Sequence, residues 1–446
     1  MSSSSPLPTE SLEGVCELIV DCPHSTPKWT DQGFLVIRNQ NIRNGRLDLS
    51  SKSYTDAEHF AHRIRRAKPQ ANDIIFTREA PMGEVCLVPE GLECCVGQRQ
   101  VLLRVKEGVD PTYVFYALQS PAVRHQIFWN EGTGSTVSNL RIPVLKKLEI
   151  PRIGASEEKI ANILYTLDAR IELNQRMNKT LEEMAQAIFK CWFVDFEPTR
   201  AKMAQKEGSG ESEASICNRL KITPDILALF PNKLVDSELG PIPDGWRVRP
   251  FSDYATLVTT GVKPFEDPNK DWVHYSIPAY DANHLPIIDA GSNIKSSKYA
   301  ISQPTVLVSK LNPTTKRTWV ICEPKPCSIC STEFMQFVPN QKLSGIGFLY
   351  GMIESPNFQA GMLETVTGST GSRQRAKPPA VHKMQLVFPT TSLIEVYEKL
   401  ISSLVSQLES NRWEAHSLAQ TRDVLLPKLL SGEISVGQAQ DEVEGV

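Results

Sequence analysis

The sequence lacks several features that would assign it to common protein classes. No apolar run approaches the ~18 to 20 residues that a helix needs to cross a membrane. The N-terminus, MSSSSPLPTESLEG, lacks the basic start and apolar core of a signal peptide. We therefore expect a cytoplasmic protein whose residues 1–13 are disordered. With 446 residues, of which 41% are hydrophobic, the chain is long enough for two or three domains.

Cysteine is present, but without the dense, regular spacing of a secreted disulfide framework. The 10 cysteines are expected to be free thiols. The stretch CEPKPCSIC brings Cys322, Cys327 and Cys330 close together in sequence. A tetrahedral metal site needs a fourth ligand, so we interpret these residues as strand and turn cysteines, with a metal site as the alternative.

Motifs of the common catalytic classes are also missing. The sequence has no GxxxxGK[ST] phosphate loop, no GxSxG elbow and no HExxH helix, and its 8 histidines show no ligand spacing. Asp195 and Glu197 of VDFEPTRAK could be mistaken for part of a metal-nuclease triad, but they lie at a predicted helix exit beside a polar segment. The sequence therefore predicts a chain without catalytic residues or a metal.

Charge is nearly balanced over the whole chain, with a formal net charge of −3. This balance excludes a uniformly basic nucleic-acid-binding chain. Residues 246–391 nevertheless hold 15 Lys and Arg against 10 Asp and Glu, which allows a basic surface in the second half.

What the sequence does contain is an internal repeat. Pairs of segments match in the same order at offsets of about 232 to 237 residues, so the chain is a tandem duplication of one unit. The matched pairs outside the helices are NDIIFTREAPMGEVCLV (72–88) with PTVLVSKLNPTTKRTWVI (304–321), LQSPAV (118–123) with IESPNF (353–358), and GTGSTVSNLR (132–141) with VTGSTGSRQR (366–375).

Each copy is predicted to be a mixed, mainly-β domain followed by a long helix. Runs such as VLLRV (101–105) and EFMQFV (333–338) are typical of strands. The stretch 164–193 has no glycine or proline, and both it and its copy at 400–430 carry apolar residues at heptad spacing. We expect an α+β fold in which the two helices pair as an antiparallel coiled coil. A core helix in a larger bundle is the alternative.

Two asparagines, Asn174 and Asn411, interrupt the apolar stripes at matched positions. A buried asparagine costs stability but can fix the register of a coiled coil. In an antiparallel pair these two side chains are predicted to meet near the middle and to fix the register.

Several motifs resemble those of the specificity subunits of type I restriction-modification enzymes. The resemblance rests on LDARIELNQRMNKTLEEMAQAIFKCWFVDFEP, LVDSELGPIPDGW, LLPKLLSGEI and NDIIFTREAPMGEV, and it covers residues 14–434. The first domain departs from the pattern, because it begins at CELIVDCPH without a counterpart of PIPDGW. Its first strand is therefore undefined by the sequence.

The resemblance implies two target-recognition domains that each read one half of a bipartite DNA sequence, and a coiled coil that sets the spacer. It also implies partners: double-stranded DNA, two modification (methyltransferase) subunits that bring S-adenosylmethionine and methylate adenine, and restriction subunits that bring ATP and Mg for translocation and cleavage. This chain would be non-catalytic and hold no cofactor. The expected parts are a disordered N-terminus (1–13), target-recognition domain 1 (14–155), a central helix (156–197), a linker (198–240), target-recognition domain 2 (241–391), a distal helix (392–432) and a tail (433–446).

The repeated basic turn carries the main candidate DNA contacts, because arginine can bind a guanine edge and lysine can bind a phosphate. These candidates are Arg78 in the first domain and Lys310, Lys316 and Arg317 in the second. Further candidates are Gln98, Arg99, Ser135, Thr136, Arg373 and Arg375. A solvated loop charge is the alternative interpretation for each residue of the basic turn.

A different class of function is a coiled-coil adaptor whose β domains bind proteins without DNA specificity. The two hypotheses differ in salt dependence, because phosphate contacts weaken steeply as salt rises. A nuclease or a fused methyltransferase acting alone is disfavoured by the missing motifs.

Overall fold

The chain divides into two compact units. The first is formed by Met1–Ile171 with Ser417–Val446, and the second by Glu172–His416. Each unit contains one segment of each long helix, since both helices pass through the unit boundary. The computed structural model of the chain describes residues 7–129, 139–208, 211–367 and 374–445.

The chain up to residue 189 begins with short strands and helices and ends in a long helix. Its strands are β1 (Thr9–Ser11), β2 (Cys16–Asp21), β3 (Trp29–Thr30), β4 (Phe34–Ile37), β5 (Ile42–Arg43), β6 (Arg46–Leu47), β7 (Tyr54–Thr55), β8 (Ile74–Thr77), β9 (Val85–Leu87), β10 (Cys94–Val96), β11 (Gln100–Val105) and β12 (Glu149–Pro151). Its helices are α1 (Leu12–Val15), α2 (Ala57–Ile64), α3 (Pro111–Gln119), α4 (Pro121–Trp129), α5 (Ile142–Lys146) and α6 (Glu157–Phe189).

The chain from residue 197 onward repeats this organisation. Its strands are β13 (Leu234–Val235), β14 (Ile242–Pro243), β15 (Arg247–Pro250), β16 (Ala255–Val258), β17 (Gly261–Val262), β18 (Asp271–Tyr275), β19 (Ile287–Ala290), β20 (Lys298–Ala300), β21 (Thr305–Ser309), β22 (Thr318–Ile321), β23 (Ser328–Ser331), β24 (Phe334–Pro339) and β25 (Gln385–Phe388). Its helices are α7 (Glu197–Lys206), α8 (Glu213–Leu220), α9 (Pro224–Ala228), α10 (Ile277–Asn283), α11 (Ile346–Glu354), α12 (Pro356–Glu364), α13 (Pro378–His382), α14 (Thr391–Leu430) and α15 (Val436–Glu444).

One antiparallel sheet has the same strand order in both units. It runs β2-β11-β8-β9 in the first unit and β16-β24-β21-β22 in the second. The run at 101–105 lies in β11 and the run at 333–338 lies in β24 from its second residue onward, as their patterns predict. These strands are buried along most of their length, which explains their apolar and β-branched composition. The predicted duplication and the α+β class are confirmed.

A second sheet in each unit contains one parallel pair, β10 with β4 and β23 with β18. The order is β10-β4-β7-β3 in the first unit and β17-β20-β23-β18-β19 in the second. The two units therefore share one sheet closely and differ in the outer strands of the other.

A repeated Ser-Pro pair divides the helical segment that follows each sheet. Ser120 Oγ donates to Ala117 O at the end of α3 (2.7 Å) and accepts from Val123 N in the first turn of α4 (3.3 Å). Ser355 makes the equivalent bonds between α11 and α12. Because proline fits the first turn of a helix, each pair ends one helix and starts the next.

The two long helices pair along the predicted seam, and they run antiparallel. In the second unit Tyr397 Oη donates to Ala185 O (3.3 Å), and Asn411 bonds to Asn178. In the first unit Arg422 pairs with Asp168 at 2.5 Å. The buried apolar seam residues of the first unit are Ile160, Leu164, Leu167, Ile171, Leu418 and Leu425.

The aromatic end of α6 explains the motif AIFKCWF. The helix passes into a π-helical turn at Lys190–Val194, and Phe189, Trp192 and Phe193 are buried there. The ring centroids of Phe193 and Tyr397 lie 5.1 Å apart in an edge arrangement. These rings belong to the main hydrophobic core of the second unit.

Two expected boundaries differ from the structure. Residues 9–13 were expected to be disordered, but they form β1 and the start of α1, and β1 pairs with β12 as β15 pairs with β25. The missing first strand of the first domain is therefore β1. The expected linker, 198–240, contains most of α7 and all of α8 and α9, which pack around a small core of Ala201, Ile216, Cys217 and Leu227.

Candidate nucleic-acid interface

Arg78, at the basic turn of the first domain, is buried rather than presented to solvent. It is 8% exposed, and its Nη1 donates to both carboxylate oxygens of Asp21, at 3.0 and 3.1 Å. Its Nε donates to Leu140 O at 3.0 Å. The guanidinium ties the end of β8 to β2 and to residue 140, so we assign it a structural role instead of the expected base contact.

Two residues of the second basic turn are also paired within the protein. Lys316 Nζ lies 2.6 Å from Glu354 Oε2, and Arg317 forms two bonds to Asp281, at 2.6 and 2.9 Å. The bonds from Arg317 hold the pKa of Asp281 below its ordinary value. Both cations have a local structural function that explains them without DNA.

Lys310 differs, because it lines an open groove of about 400 Å³ in the second domain. Its main chain accepts a bond from Ala376 N at 2.9 Å, which holds α13 and its preceding turn beside the sheet. Arg375 also lines the groove, and it forms an ion pair with Glu333 at 3.1 Å. The lining consists of Lys310, Thr367, Arg375, Ala376, Lys377, Pro378, Pro379 and Ala380, which makes the groove basic on one part and apolar on the other.

Gln98 and Arg99 line a separate cleft of about 380 Å³ in the first domain, here called the Trp29 cleft. It lies where β3, the exit of β4 and the β10–β11 turn meet. Trp29 is 44% exposed, and the Arg38 guanidinium lies 5.0 Å from its ring centroid. The lining residues are Pro27, Trp29, Arg38, Asn39, Gln40, Ala80, Gly97, Gln98 and Arg99.

The turn that carries Gln98 and Arg99 is fixed by its backbone. Gly97 N donates to Ile37 O at 2.7 Å, and a Cβ at residue 97 would lie 2.5 Å from that oxygen. The close approach therefore requires glycine. Gln98 Nε2 donates to His24 O and to Thr26 Oγ1, at 2.7 and 3.0 Å.

Three of the expected contact residues, Ser135, Thr136 and Arg373, lie outside the described residues. The candidate contacts drawn from the sequence leave out four lining residues of the Trp29 cleft: Trp29, Arg38, Asn39 and Gln40. An available signal was the polar string RNQN directly after the buried strand FLVI, with a tryptophan a few residues upstream.

The asparagine pair of the helices differs by one turn from the predicted pair. Asn411 Nδ2 donates to Asn178 Oδ1 at 2.9 Å, and Asn178 Nδ2 donates to Leu408 O at 3.1 Å. Asn174 is buried, but its Nδ2 has no partner among the described residues. The repeat relates Asn174 to Asn411 and Asn178 to Ala415, so the reciprocal position of the pair holds an alanine without a hydrogen-bonding group. The predicted pairing of Asn174 with Asn411 is therefore wrong.

A partly buried ion pair lies close to the asparagine pair. Arg412 Nη2 is 2.7 Å from Glu182 Oε1. Burial raises the pKa of Glu182, and the charge of Arg412 opposes this shift. The middle of the helix pair therefore has polar contacts at defined positions, which favour one register over its neighbours.

The described residues contain no group of three or more His, Cys, Asp and Glu arranged to hold a metal ion. Of the three cysteines in CEPKPCSIC, Cys330 is buried and Cys327 is exposed. Within the same described residues, no helix has the length and apolar character that a membrane span requires.

Comparison with known proteins gives consistent results. Residues 9–183 match the family model of the type I restriction modification DNA specificity domain. The specificity subunit of type I restriction enzyme HindI from Haemophilus influenzae is 27% identical over 319 residues, which cover 63% of this chain and 67% of that protein. The MjaIX specificity subunit from Methanocaldococcus jannaschii is 23% identical over 377 residues, which cover 81% of this chain and 78% of that protein.

The fold itself has a solved counterpart. A crystal structure of a type I restriction-modification S subunit from M. genitalium matches with a TM-score of 0.60 at 16% identity, over 96% of this chain and 98% of that chain. The family model, the curated relatives and the fold all point to the same similarity, namely to the specificity subunits of type I restriction enzymes.

Proposed function

We propose that this chain is the non-catalytic DNA-specificity subunit of a type I restriction-modification complex. The observation that carries the proposal is the duplicated sheet, with strand order β2-β11-β8-β9 and β16-β24-β21-β22, followed each time by a long helix. Two versions of one recognition domain suit a target made of two separate half-sites. In this proposal each domain reads one half, and the paired helices set the unread spacer.

The length of the helices is consistent with a spacer function. α6 has 33 residues, and at a rise of 1.5 Å per residue such a helix is roughly 50 Å long. One turn of B-DNA measures about 34 to 36 Å. Adding or removing whole turns in both helices is therefore expected to change the spacer length and to leave the two half-sites unchanged.

Catalysis is assigned to partner subunits. Two modification subunits would bring S-adenosylmethionine and methylate adenine, and restriction subunits would bring ATP and Mg for translocation and cleavage. Methylation requires the base outside the helical stack, and we place the pocket for that base in the modification subunit.

The test is a selection from random duplexes with the chain assembled on its modification subunits. We expect enrichment of a bipartite site. We also expect a steep loss of affinity with salt, because the logarithm of the binding constant falls with the logarithm of the salt concentration by about 0.9 for each phosphate contact. Lys310→Ala with Lys377→Ala should lower the slope, whereas Lys342→Ala, an exposed lysine outside the groove, should not.

Two results would count against the proposal. If the assembled complex enriches no sequence, the proposed DNA specificity is wrong. Binding without salt dependence would instead favour the protein-interaction adaptor, although the likeness to specificity subunits favours the DNA-reading role.

A further inference from the structure

The backbone of Arg99 is in a conformation that glycine adopts more easily. Its φ is +66°, in the left-handed region. The repeat provides a comparison: Arg78 N donates to Arg99 O, and Lys310 N donates to Glu333 O, so Glu333 occupies the matched position. Glu333 does not have a positive φ. An arginine in a strained position at the rim of a cleft points to a function of its side chain.

The side chains of Arg99 and Gln98 present complementary groups. Arg99 is half exposed, and its Nε lies 3.2 Å from Glu79 Oε2. Among the described residues, its terminal nitrogens donate no hydrogen bond. The amide hydrogens of Gln98 are engaged by His24 and Thr26, so Gln98 offers its Oε1 as an acceptor. Arg99 thus offers the paired N–H donors of its guanidinium, and the neighbouring Gln98 offers one acceptor oxygen.

We propose that the Trp29 cleft reads a G·C base pair of the first half-site through the major groove, an inference that rests on the proposed function. Guanine presents two acceptors, N7 and O6, and its partner cytosine presents the N4 amino donor. Arg99 donates to the guanine edge, and Gln98 Oε1 accepts from the cytosine. An A·T pair offers an amino donor in place of guanine O6, so Arg99 would lose one of its two acceptors.

The surroundings favour a base edge over a phosphate. Glu79 lies beside Arg99, and its carboxylate would repel a phosphate. Asn39 and Gln40 are neutral amides, and Trp29 supplies an apolar face. The other cation of the cleft, Arg38, lies over the Trp29 ring, 5.0 Å from its centroid, whereas two lysines, Lys310 and Lys377, line the groove of the second domain and suit a phosphate.

The experiment measures adenine methylation by the assembled complex on duplexes that vary one position of the first half-site at a time. For the wild type we expect one position where G·C is preferred over A·T by about tenfold or more. In Arg99→Gly the preference at that position should fall to near one, while the second half-site stays unchanged. Because glycine suits the positive φ, this variant should unfold at no lower temperature than the wild type.

Further variants separate a base contact from a charge effect. Arg99→Lys keeps the charge but loses the fork, so it should lose the same preference. Gln98→Ala should weaken the preference at the same position. Arg65→Ala, an exposed arginine outside the cleft, serves as the control and should leave every position unchanged.

The outcomes are distinct. Equal loss of methylation on all sequences in Arg99→Gly, with recovery in Arg99→Lys, would identify a phosphate contact and overturn the inference. An unchanged preference in both variants would also overturn it. If the wild-type complex shows no bipartite target at all, the proposed function fails instead.

Discussion

The two recognition domains keep the same backbone bonds at the end of the shared sheet but use different side chains there. Arg78 N bonds to Arg99 O in the first domain, and Lys310 N bonds to Glu333 O in the second. Residues 140 and 376 donate to the carbonyls of Arg78 and Lys310. Nevertheless Arg78 is buried against Asp21, whereas Lys310 lines an open groove. A basic residue at a repeated position therefore need not have the same function in both copies.

A second difference concerns the side of each domain that meets the long helices. Tyr116 of α3 donates to Asp168 of α6 at 2.7 Å in the first unit. The matched position in α11 of the second unit is Gly351, and a Cβ there would lie 2.6 Å from both Phe189 and Tyr397. The aromatic ring comes from the domain in one copy and from the long helices in the other. In the second unit the rings of Phe189 and Tyr397 lie where a side chain of residue 351 would be.

The largest expected effect tests the difference between Arg78 and Lys310. Arg78→Met should lower the free energy of unfolding by about 3 kcal/mol, because it leaves a partly buried carboxylate and a carbonyl without their donor. Lys310→Met should change it by less than about 0.5 kcal/mol. Urea denaturation followed by circular dichroism measures both. Equal losses in the two variants would refute the structural assignment of Arg78.

The exchange of aromatic rings is tested at Gly351. Gly351→Ala should lower the free energy of unfolding by about 2 kcal/mol, because the added methyl group forces Phe189 and Tyr397 to shift. Gly437→Ala is the matched control in another helix, and it should be neutral or stabilising, since no atom of the described residues lies within 4 Å of its Cβ position. Denaturation midpoints compare the two, and a stabilised Gly351→Ala would show that the contact is loose.

Replacing Asn178 and replacing Asn174 by leucine should change the free energy of unfolding in opposite directions. Asn178→Leu should destabilise by about 1 to 2 kcal/mol, because Asn411 loses its acceptor and Leu408 O its donor. Asn174→Leu should raise the free energy of unfolding by about 1 kcal/mol, because it removes a buried amide donor that has no partner in the described part of the chain. Thermal unfolding of the two variants decides the question. If Asn174 proves the more costly to replace, the register described here is wrong.

The smallest effect is a pH dependence of the second domain. Burial lowers the pKa of His284, Arg412 lowers it further, and Asp281 opposes this; burial also lowers the pKa of His274, beside Asp289 and Lys298. Because the folded-state pKa lies below the ordinary 6.5, the stability is present above pH 6.5 and is lost as pH falls through the folded value. The urea midpoint should therefore drop between pH 7.5 and 5.5.

A variant isolates one histidine in that pH experiment. His284 has φ +57°, which asparagine tolerates, so His284→Asn keeps the end of α10. The drop in midpoint on acidification should be smaller in this variant than in the wild type. An equal drop would assign the effect to other groups.

The elements that could be predicted from the sequence are those whose signal is local. The strands at 74–77 and 305–309 are rich in β-branched residues, and the two long helices have sustained heptad spacing and no interior glycine. The partner of Asn411 could not be predicted, because a shift of one turn preserves the apolar seam. The register follows from contacts along the whole helix pair, including Glu182 with Arg412.

The site was less predictable than the fold for the same reason. The burial of Arg78 depends on Asp21, which is 57 residues away in sequence. The Trp29 cleft joins β3, the exit of β4 and the turn before β11, which no local pattern brings together. Gln98 and Arg99 were identified from residue type alone, and the structure adds that they line one cleft.

The most direct test of the central claim is a map of methylated adenines in DNA exposed to the chain assembled with its modification subunits. We expect one motif made of two specified blocks separated by a spacer of fixed length and arbitrary sequence. Variants in the Trp29 cleft should alter one block only. A single contiguous motif, or methylation without sequence preference, would contradict the account.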